Sequence, residues 1–417
     1  MESRLTYVRI RWVILFACAL TLGYLLAGAH VSPKGIGESD FTSFYGAATL
    51  LREGHGAGIY NPALQESMHA ALVFPDRIGN LPFVDPPAAA AILVPLTLLP
   101  LDVAYHVWGM FEFALLLLAV LIVVRSAPWP SSTPHRWKDA AVLAAMAGAG
   151  TYGVVVEAQW TPFLALGLAL AYRQWRSGKL ASGAFVLVLA AGLTKPHLAL
   201  VLGAFLLGWR DRRLLGGALA GAVTAVLANV AVAGPQGLTG FIHLAVTSQS
   251  QWALSTYSSF VSLPALAFGH SSATYVVTGV AALIACAVGW WLGSAVRHRN
   301  GRLEVALASA AVLSLLAAPH ALVHDTSMLA PVAVWMFAWA ASRTSTDLAT
   351  RPSVGAVGAA WFVITAAGLV SMITVAVPLG WVVATTLVVV ATLGSIVSLA
   401  PIRQTPSMLR IAVPTHH

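Results

Sequence analysis

Apolar residues in this chain come in long runs separated by short polar punctuation, and they lack the alternation of a half-buried strand or the one-sided stripe of a soluble helix. A helix needs about 20 mainly apolar residues to cross hydrocarbon. Runs near 12–29, 102–124, 139–157, 160–172, 180–194, 196–209, 214–233, 272–293, 303–318, 323–341, 354–376 and 379–400 predict about twelve spans, the fourth to sixth being short. The segment Pro86–Pro100 (PPAAAAILVPLTLLP) is too short to cross and is rich in proline, so it is expected to be re-entrant or interfacial.

Two connections are longer than turns. Residues 30–101 form a first outer loop, with Gly and Pro punctuation that leaves helical pieces near 42–53 and 62–73. Residues 234–271 form a second, containing the polar and aromatic stretch TSQSQWALSTYSSF. Connections of this length are functional or disordered, and these are too aromatic for disorder. No soluble domain or internal repeat interrupts the pattern, so residues 1–417 read as one transmembrane domain.

Composition excludes a water-soluble globular protein, because 58% of residues are apolar and 9% are charged, against about a quarter charged in soluble domains. Cys18 and Cys286 sit inside apolar runs and offer neither a disulfide framework nor a thiolate metal site. A net charge of +8 raises nucleic acid as a partner. The basic residues, however, fall in short clusters between spans, which in a membrane protein encodes orientation. All 23 Lys and Arg except Lys34, Arg52, Arg77 and Lys195 map to the side of the N-terminus. That side is expected to be cytoplasmic, with both termini on it, in a multi-pass plasma-membrane protein. The basic start Met1–Arg11 precedes an apolar run without a cleavage site, which reads as an uncleaved first helix.

The unusual polar residues collect on the opposite side. Asp40, in SDFTSFYGAATLLREG, follows the first span and precedes an amphipathic stretch. It suits an N-terminal helix cap, and a carboxylate at a membrane surface also suits a general base acting on lipid-linked substrates. Glu157, Gln159 and Trp160 divide one pair of spans, Thr194–His197 a second, and Pro319–Asp325 (PHALVHD) a third. Ionisable groups at membrane depth mark a functional interior, though Lys195 alone would also fit a snorkelling interfacial lysine.

His320 and His324 share a helix face and raise a metal site, but no Cys or HExxH pattern accompanies them, and no metal or cofactor is expected. Lys195, His197, His320, His324 and Arg52 would instead form a cationic cup for phosphate. No Walker loop or strand-borne GxGxxG is present to hold a nucleotide. A carboxylate facing a cationic cup at the outer surface implies a sugar donor carried on a phosphate-linked lipid.

The ordered set SDFTSFYGAATLLREG, GIYNP, FVDPPAAAAILVPLTLLP, EAQWTPFLALGLALAYRQWRSGK, GLTKPHLALVLGAFLLGWRDRR and PHALVHDTSMLAPVAVW resembles polyprenol-phosphate-sugar-dependent glycosyltransferases of the GT-C superfamily. The similarity is greatest to bacterial alpha-mannosyltransferases, with arabinofuranosyltransferases as cousins, and runs over roughly residues 35–340. It implies an all-helical GT-C bundle with Asp40 as catalytic base, and donor contacts from Lys195, His197, His320 and His324. The implied donor is a polyprenyl-phosphate sugar, mannose first and arabinofuranose second. The implied acceptor is a glycolipid or lipid-linked glycan, and nucleic acid is no partner. Tyr45, Asp85, Glu157, Gln159, Trp252 and Tyr257 are the expected sugar or acceptor contacts, with Tyr60 and Trp160 as further aromatic candidates. Asp85 departs from the resemblance, since relatives carry an aromatic before the double proline. A transporter or flippase of a lipid-linked glycan is the alternative, and it would place the essential charge at Glu112, inside a span.

Overall fold

The computed structural model describes residues 4–76, 79, 81–247, 253–298, 303–343, 351–374 and 377–399. Among these residues there is no strand. The helices are α1 (Arg4–Ala29), α2 (Pro33–Glu38), α3 (Asp40–Arg52), α4 (Pro62–Val73), α5 (Pro87–Leu93), α6 (Leu101–Ser126), α7 (His135–Met146), α8 (Ala149–Glu157) and α9 (Thr161–Arg176). They continue with α10 (Leu180–Leu193), α11 (Leu200–Trp209), α12 (Arg212–Thr247), α13 (Ser262–Phe268), α14 (Ser272–His298), α15 (Leu303–Ala317), α16 (Ala330–Arg343), α17 (Arg351–Ile373) and α18 (Gly380–Leu399).

Every expected span is helical, but they differ in length. Among the described residues, six helices (α1, α6, α12, α14, α17 and α18) are long and apolar enough to cross alone, and α7 with α8 makes a seventh as a pair bent by 52°. The other five, α9, α10, α11, α15 and α16, have 10 to 16 residues. At 1.5 Å per residue they reach about 15–24 Å, short of a hydrocarbon core of about 30 Å. Of the twelve expected spans, six or seven are long enough to cross alone by length and composition among the described residues, and the others are shorter apolar helices. Two of them, α11 and α16, start directly from 3₁₀ turns, Pro196–Ala199 and Val323–Leu329.

Burial separates the two kinds. Helix α15 is buried from Glu304 to its end, whereas α1 and α14 turn large apolar side chains outward, Trp12 at 67% and Leu283 at 72% exposure. Such faces are stable only against lipid. At one end of the bundle the buried Glu304 ties three helices together. It accepts from Tyr172 Oη and Arg176 Nη1 at 3.1 Å each, and its carbonyl accepts from Trp335 Nε1 at 3.1 Å.

The first outer connection is an ordered layer. Asn61 caps α4 by accepting from the Ala63 amide at 3.0 Å, with Pro62 in the first helical position, a combination worth about 1 kcal/mol. Gln65 then staples the following loop, donating to the Ile59 carbonyl at 2.7 Å and accepting from the Phe83 amide at 3.1 Å. The expected re-entrant piece forms α5 and a 3₁₀ turn, Val94–Leu98. In the second connection, helix α12 continues past residue 234 to Thr247 through a kink. There Gly234 takes φ 69, a conformation a side chain disfavours, directly before Pro235.

Candidate active site

Three breaks between short helices converge with the start of α3. They are residues 158–160 between α8 and α9, Thr194–Ala199 between α10 and α11, and 318–329 between α15 and α16. Two glycines of α8 allow the approach. A Cβ on Gly150 would lie 2.2 Å from the Ser327 nitrogen, and one on Gly153 would lie 2.5 Å from the His324 Cβ. Side chains there would push the 3₁₀ turn Val323–Leu329 away from α8.

The end of α8 is held by aromatic donors from α6. Tyr105 Oη donates to the Val156 carbonyl at 2.5 Å and Trp108 Nε1 to the Ala158 carbonyl at 3.1 Å, satisfying groups the helix leaves open. Ala158 adopts φ 53, a left-handed turn that costs a non-glycine residue about 1 kcal/mol or more. It stands between Glu157 and Gln159 and sends their side chains in different directions.

Gln159 is the hinge of the site. Its Nε2 donates to the Asp40 carboxylate, and its Oε1 accepts from Lys195 Nζ at 2.7 Å. The ammonium fixes which end of the amide is oxygen, so the donor end must face Asp40. Lys195 Nζ also bonds Asp325 Oδ1 at 2.7 Å in an ion pair whose side chains are 7% and 0% exposed. Asp325 is further satisfied by Thr161 Oγ1 at 2.7 Å and the Leu322 amide at 3.0 Å, and His324 Nε2 lies 3.4 Å from its Oδ2.

Burial is the largest single influence on Lys195 and favours its neutral form, but the Asp325 and Asp85 carboxylates outweigh it and hold its pKa above the ordinary value. Burial likewise opposes ionisation of Asp325, but Lys195 and His324 hold its pKa well below the carboxylate range. Both groups are therefore charged at neutral pH.

A cavity of about 400 Å³ opens over this network. Asp40, Asp85, Gln159, Lys195, His197 and Tyr257 line it, as do His320 and His324. Asp85 is 6% exposed, and its loop is fixed from behind: Tyr60 Oη donates to the Asp85 carbonyl at 2.5 Å, and Asn229 Oδ1 accepts from the Ala88 amide at 2.9 Å. Burial pushes the Asp85 pKa up to about 7; Lys195 opposes the shift, while Asp40 and Asp325 add to it.

The remaining expected residues lie elsewhere. Arg52 donates to the Thr97 carbonyl and Tyr45 Oη to the Leu99 carbonyl at 2.7 Å, so both fasten α3 to the turn after α5 and neither lines the cavity. Glu157 sits beneath Asp40 and accepts from its backbone amide, off the cavity wall. Trp160 is fully buried, with its ring 4.8 Å from that of Trp108, and Tyr60 stacks on Phe83 at 5.8 Å. Trp252 and Arg77 lie outside the described residues. Asp40 is the first helical residue of α3 and Ser39 is its cap; the Asp40 carboxylate turns to Gln159 rather than to the helix amides.

With Arg52 elsewhere and Lys195 neutralised by Asp325, the wall mixes acids with one fixed cation and three imidazoles. In the sequence Asp325 reads only as part of a histidine segment, and Thr161 does not stand out. The available signal was an acid inside an apolar run, which burial obliges to find a partner.

The model of glycosyltransferase family 87 matches residues 83–319, more than half of the chain. Asp85, Glu157, Gln159, Lys195 and His197 fall within the match, whereas Asp40 and His320–Asp325 fall outside it. No curated protein and no solved structure matches the chain.

Proposed function

This chain belongs to glycosyltransferase family 87, a family of GT-C-type polyprenol-phosphate-sugar enzymes, and from that premise we propose an inverting transfer at the Asp40 cavity. Membership decides for glycosyl transfer over transport. In the proposed reaction Asp40 removes the proton from an acceptor hydroxyl, and the freed oxygen bonds to the anomeric carbon. The bond from that carbon to the phosphate oxygen breaks with its electron pair, leaving a polyprenyl phosphate. Lys195 stabilises the charge that develops on the phosphate. The donor is mannose on a polyprenyl phosphate, the acceptor a glycolipid or lipid-linked glycan, and the reaction runs at the outer face of the plasma membrane.

One observation carries this reading: a carboxylate and an ammonium are joined through the Gln159 amide on the wall of one cavity. One amide and two hydrogen bonds separate them by about 7 Å. That gap lets an acceptor hydroxyl meet the base while the leaving phosphate meets the cation on the far side of the sugar. A cavity of about 400 Å³ holds a sugar and its phosphate, with the prenyl chain passing out beside Ile242, which is 52% exposed and lines the same cavity. The His197, His320 and His324 imidazoles supply further hydrogen bonds to phosphate or sugar, and Asp85 and Tyr257 bind sugar hydroxyls.

The test is transfer from radiolabelled polyprenyl-phosphate mannose by membranes carrying Asp40→Asn. The isosteric amide keeps a partner for Gln159 but cannot take a proton, so transfer is expected to fall by at least 100-fold. Transfer at the wild-type rate would remove Asp40 from the chemistry.

A further inference from the structure

We propose that the end of the bundle opposite the Asp40 cavity carries a second lipid site, an apolar groove between α1, α7, α16 and α17 that takes the acyl chain of an anionic phospholipid.

The groove has a volume of about 650 Å³, larger than the Asp40 cavity. Its floor is made by small residues of α7, among them Ala141 and Ala144, where α1 and α17 leave room. Phe16, Trp129, Trp137 and Trp361 form its sides. The Trp361 ring is held upright by donation from Nε1 to the Ala144 carbonyl at 2.7 Å. Protein interiors are packed without gaps of this size, and a groove between membrane helices fills with hydrocarbon.

Its place in the bundle follows from the ends of α6 and from the pairing of α1 with α7. The first turns of α6 hold the active-site end through Tyr105 and Trp108, whereas Trp129 lies just past the other end of that helix, whose 26 residues span about 39 Å. Helices α1 and α7 run parallel, since Tyr24 Oη bonds the Ala147 carbonyl at 2.8 Å while Ala17 and Ala140, seven residues earlier in each, both line the groove. Arg11 therefore falls level with Pro134, at the mouth.

Charge at the mouth selects the headgroup. Ser132, Thr133, Pro134 and Trp137 form the rim, and the adjoining chain carries Arg125, His135 and Lys138, with Asp139 as the acid next to them in sequence. Arg11 is exposed beside them. Hydroxyls, the amino end of α7 and these cations complement a phosphate diester, and Trp129 and Trp137 set its depth at the interface. This lipid is separate from the donor and acceptor of the transfer reaction.

The test uses the full chain reconstituted in nanodiscs of equimolar phosphatidylglycerol and phosphatidylcholine, with retained lipid read by native mass spectrometry. Wild-type protein is expected to keep phosphatidylglycerol at least five-fold over phosphatidylcholine, about the effect of one basic residue near an anionic lipid. Ala141→Trp, which fills the floor, is expected to lower retention at least ten-fold. The surface pair Arg11→Gln and Lys138→Gln is expected to keep a lipid but lose the preference. Equal retention of both lipids by wild type would overturn the proposal, as would undiminished phosphatidylglycerol on a folded Ala141→Trp protein or an unchanged preference in the double variant.

Discussion

The buried pair of Lys195 and Asp325 makes an asymmetric demand on its two halves. Replacing Asp325 by Leu leaves the ammonium, 7% exposed, with only the neutral Gln159 oxygen in contact at 2.7 Å. Breaking a buried pair this way costs about 3–5 kcal/mol. Replacing Lys195 by Met leaves Asp325 with Thr161, the Leu322 amide and His324, so the expected loss is smaller, about 1–3 kcal/mol. The double variant removes both charges, and its loss should fall short of the sum of the two by more than about 1 kcal/mol.

Unfolding free energies from SDS titration in mixed micelles measure all three. Activity should divide differently from stability. Lys195→Met loses the charge-assisted contact to phosphate, for which about 2–3 kcal/mol corresponds to a rise in donor KM of roughly 30- to 150-fold. Asp325→Leu keeps its ammonium and, assayed below its melting temperature, should transfer faster than Lys195→Met. Additivity within about 0.5 kcal/mol would mean that the pair does not act as one unit. A Lys195→Met enzyme with unchanged KM would remove that residue from donor binding.

Two further outcomes follow from the same cavity wall. Asp85, with its pKa raised from 3.8 to about 7, binds more protons folded than unfolded between those values. Its contribution to stability is thus full below about pH 4 and lost as pH rises through 7, to an upper bound of about 4 kcal/mol. Asp85→Asn is therefore expected to raise the unfolding midpoint at pH 8 while leaving it nearly unchanged at pH 4, and an equal effect at both would refute the shift. Transfer is also expected to continue in EDTA, because Asp325, the acid nearest His324, already holds the Lys195 cation; loss restored by a divalent ion would place a metal at His320 and His324.

The sequence alone settled the solvent and the architecture. Runs of apolar residues with 9% charge permit only a helical bundle in lipid, since hydrocarbon offers no partner for an open backbone. It also located the polar breaks that line the cavity, because an acid or lysine between apolar runs has no reason to be there unless something pairs it. Helices form at every expected span, as do the short pieces at Asp40–Arg52 and Pro62–Val73.

Tertiary structure decided which of these residues meet. Arg52 and Asp40 share a helix, yet 12 residues along α3 carry Arg52 about 18 Å away to a backbone carbonyl. Gln159 and Glu157 are two apart, yet the left-handed turn at Ala158 gives one to the cavity and the other to the Asp40 backbone amide. Span length was undecidable in the same way, since an apolar run reads alike whether its end meets lipid or the buried turn beside Asp325. Hydropathy is a property of each residue in turn, whereas pairing a charge depends on side chains brought together from distant parts of the chain, as Lys195 and Asp325 are from positions 130 residues apart.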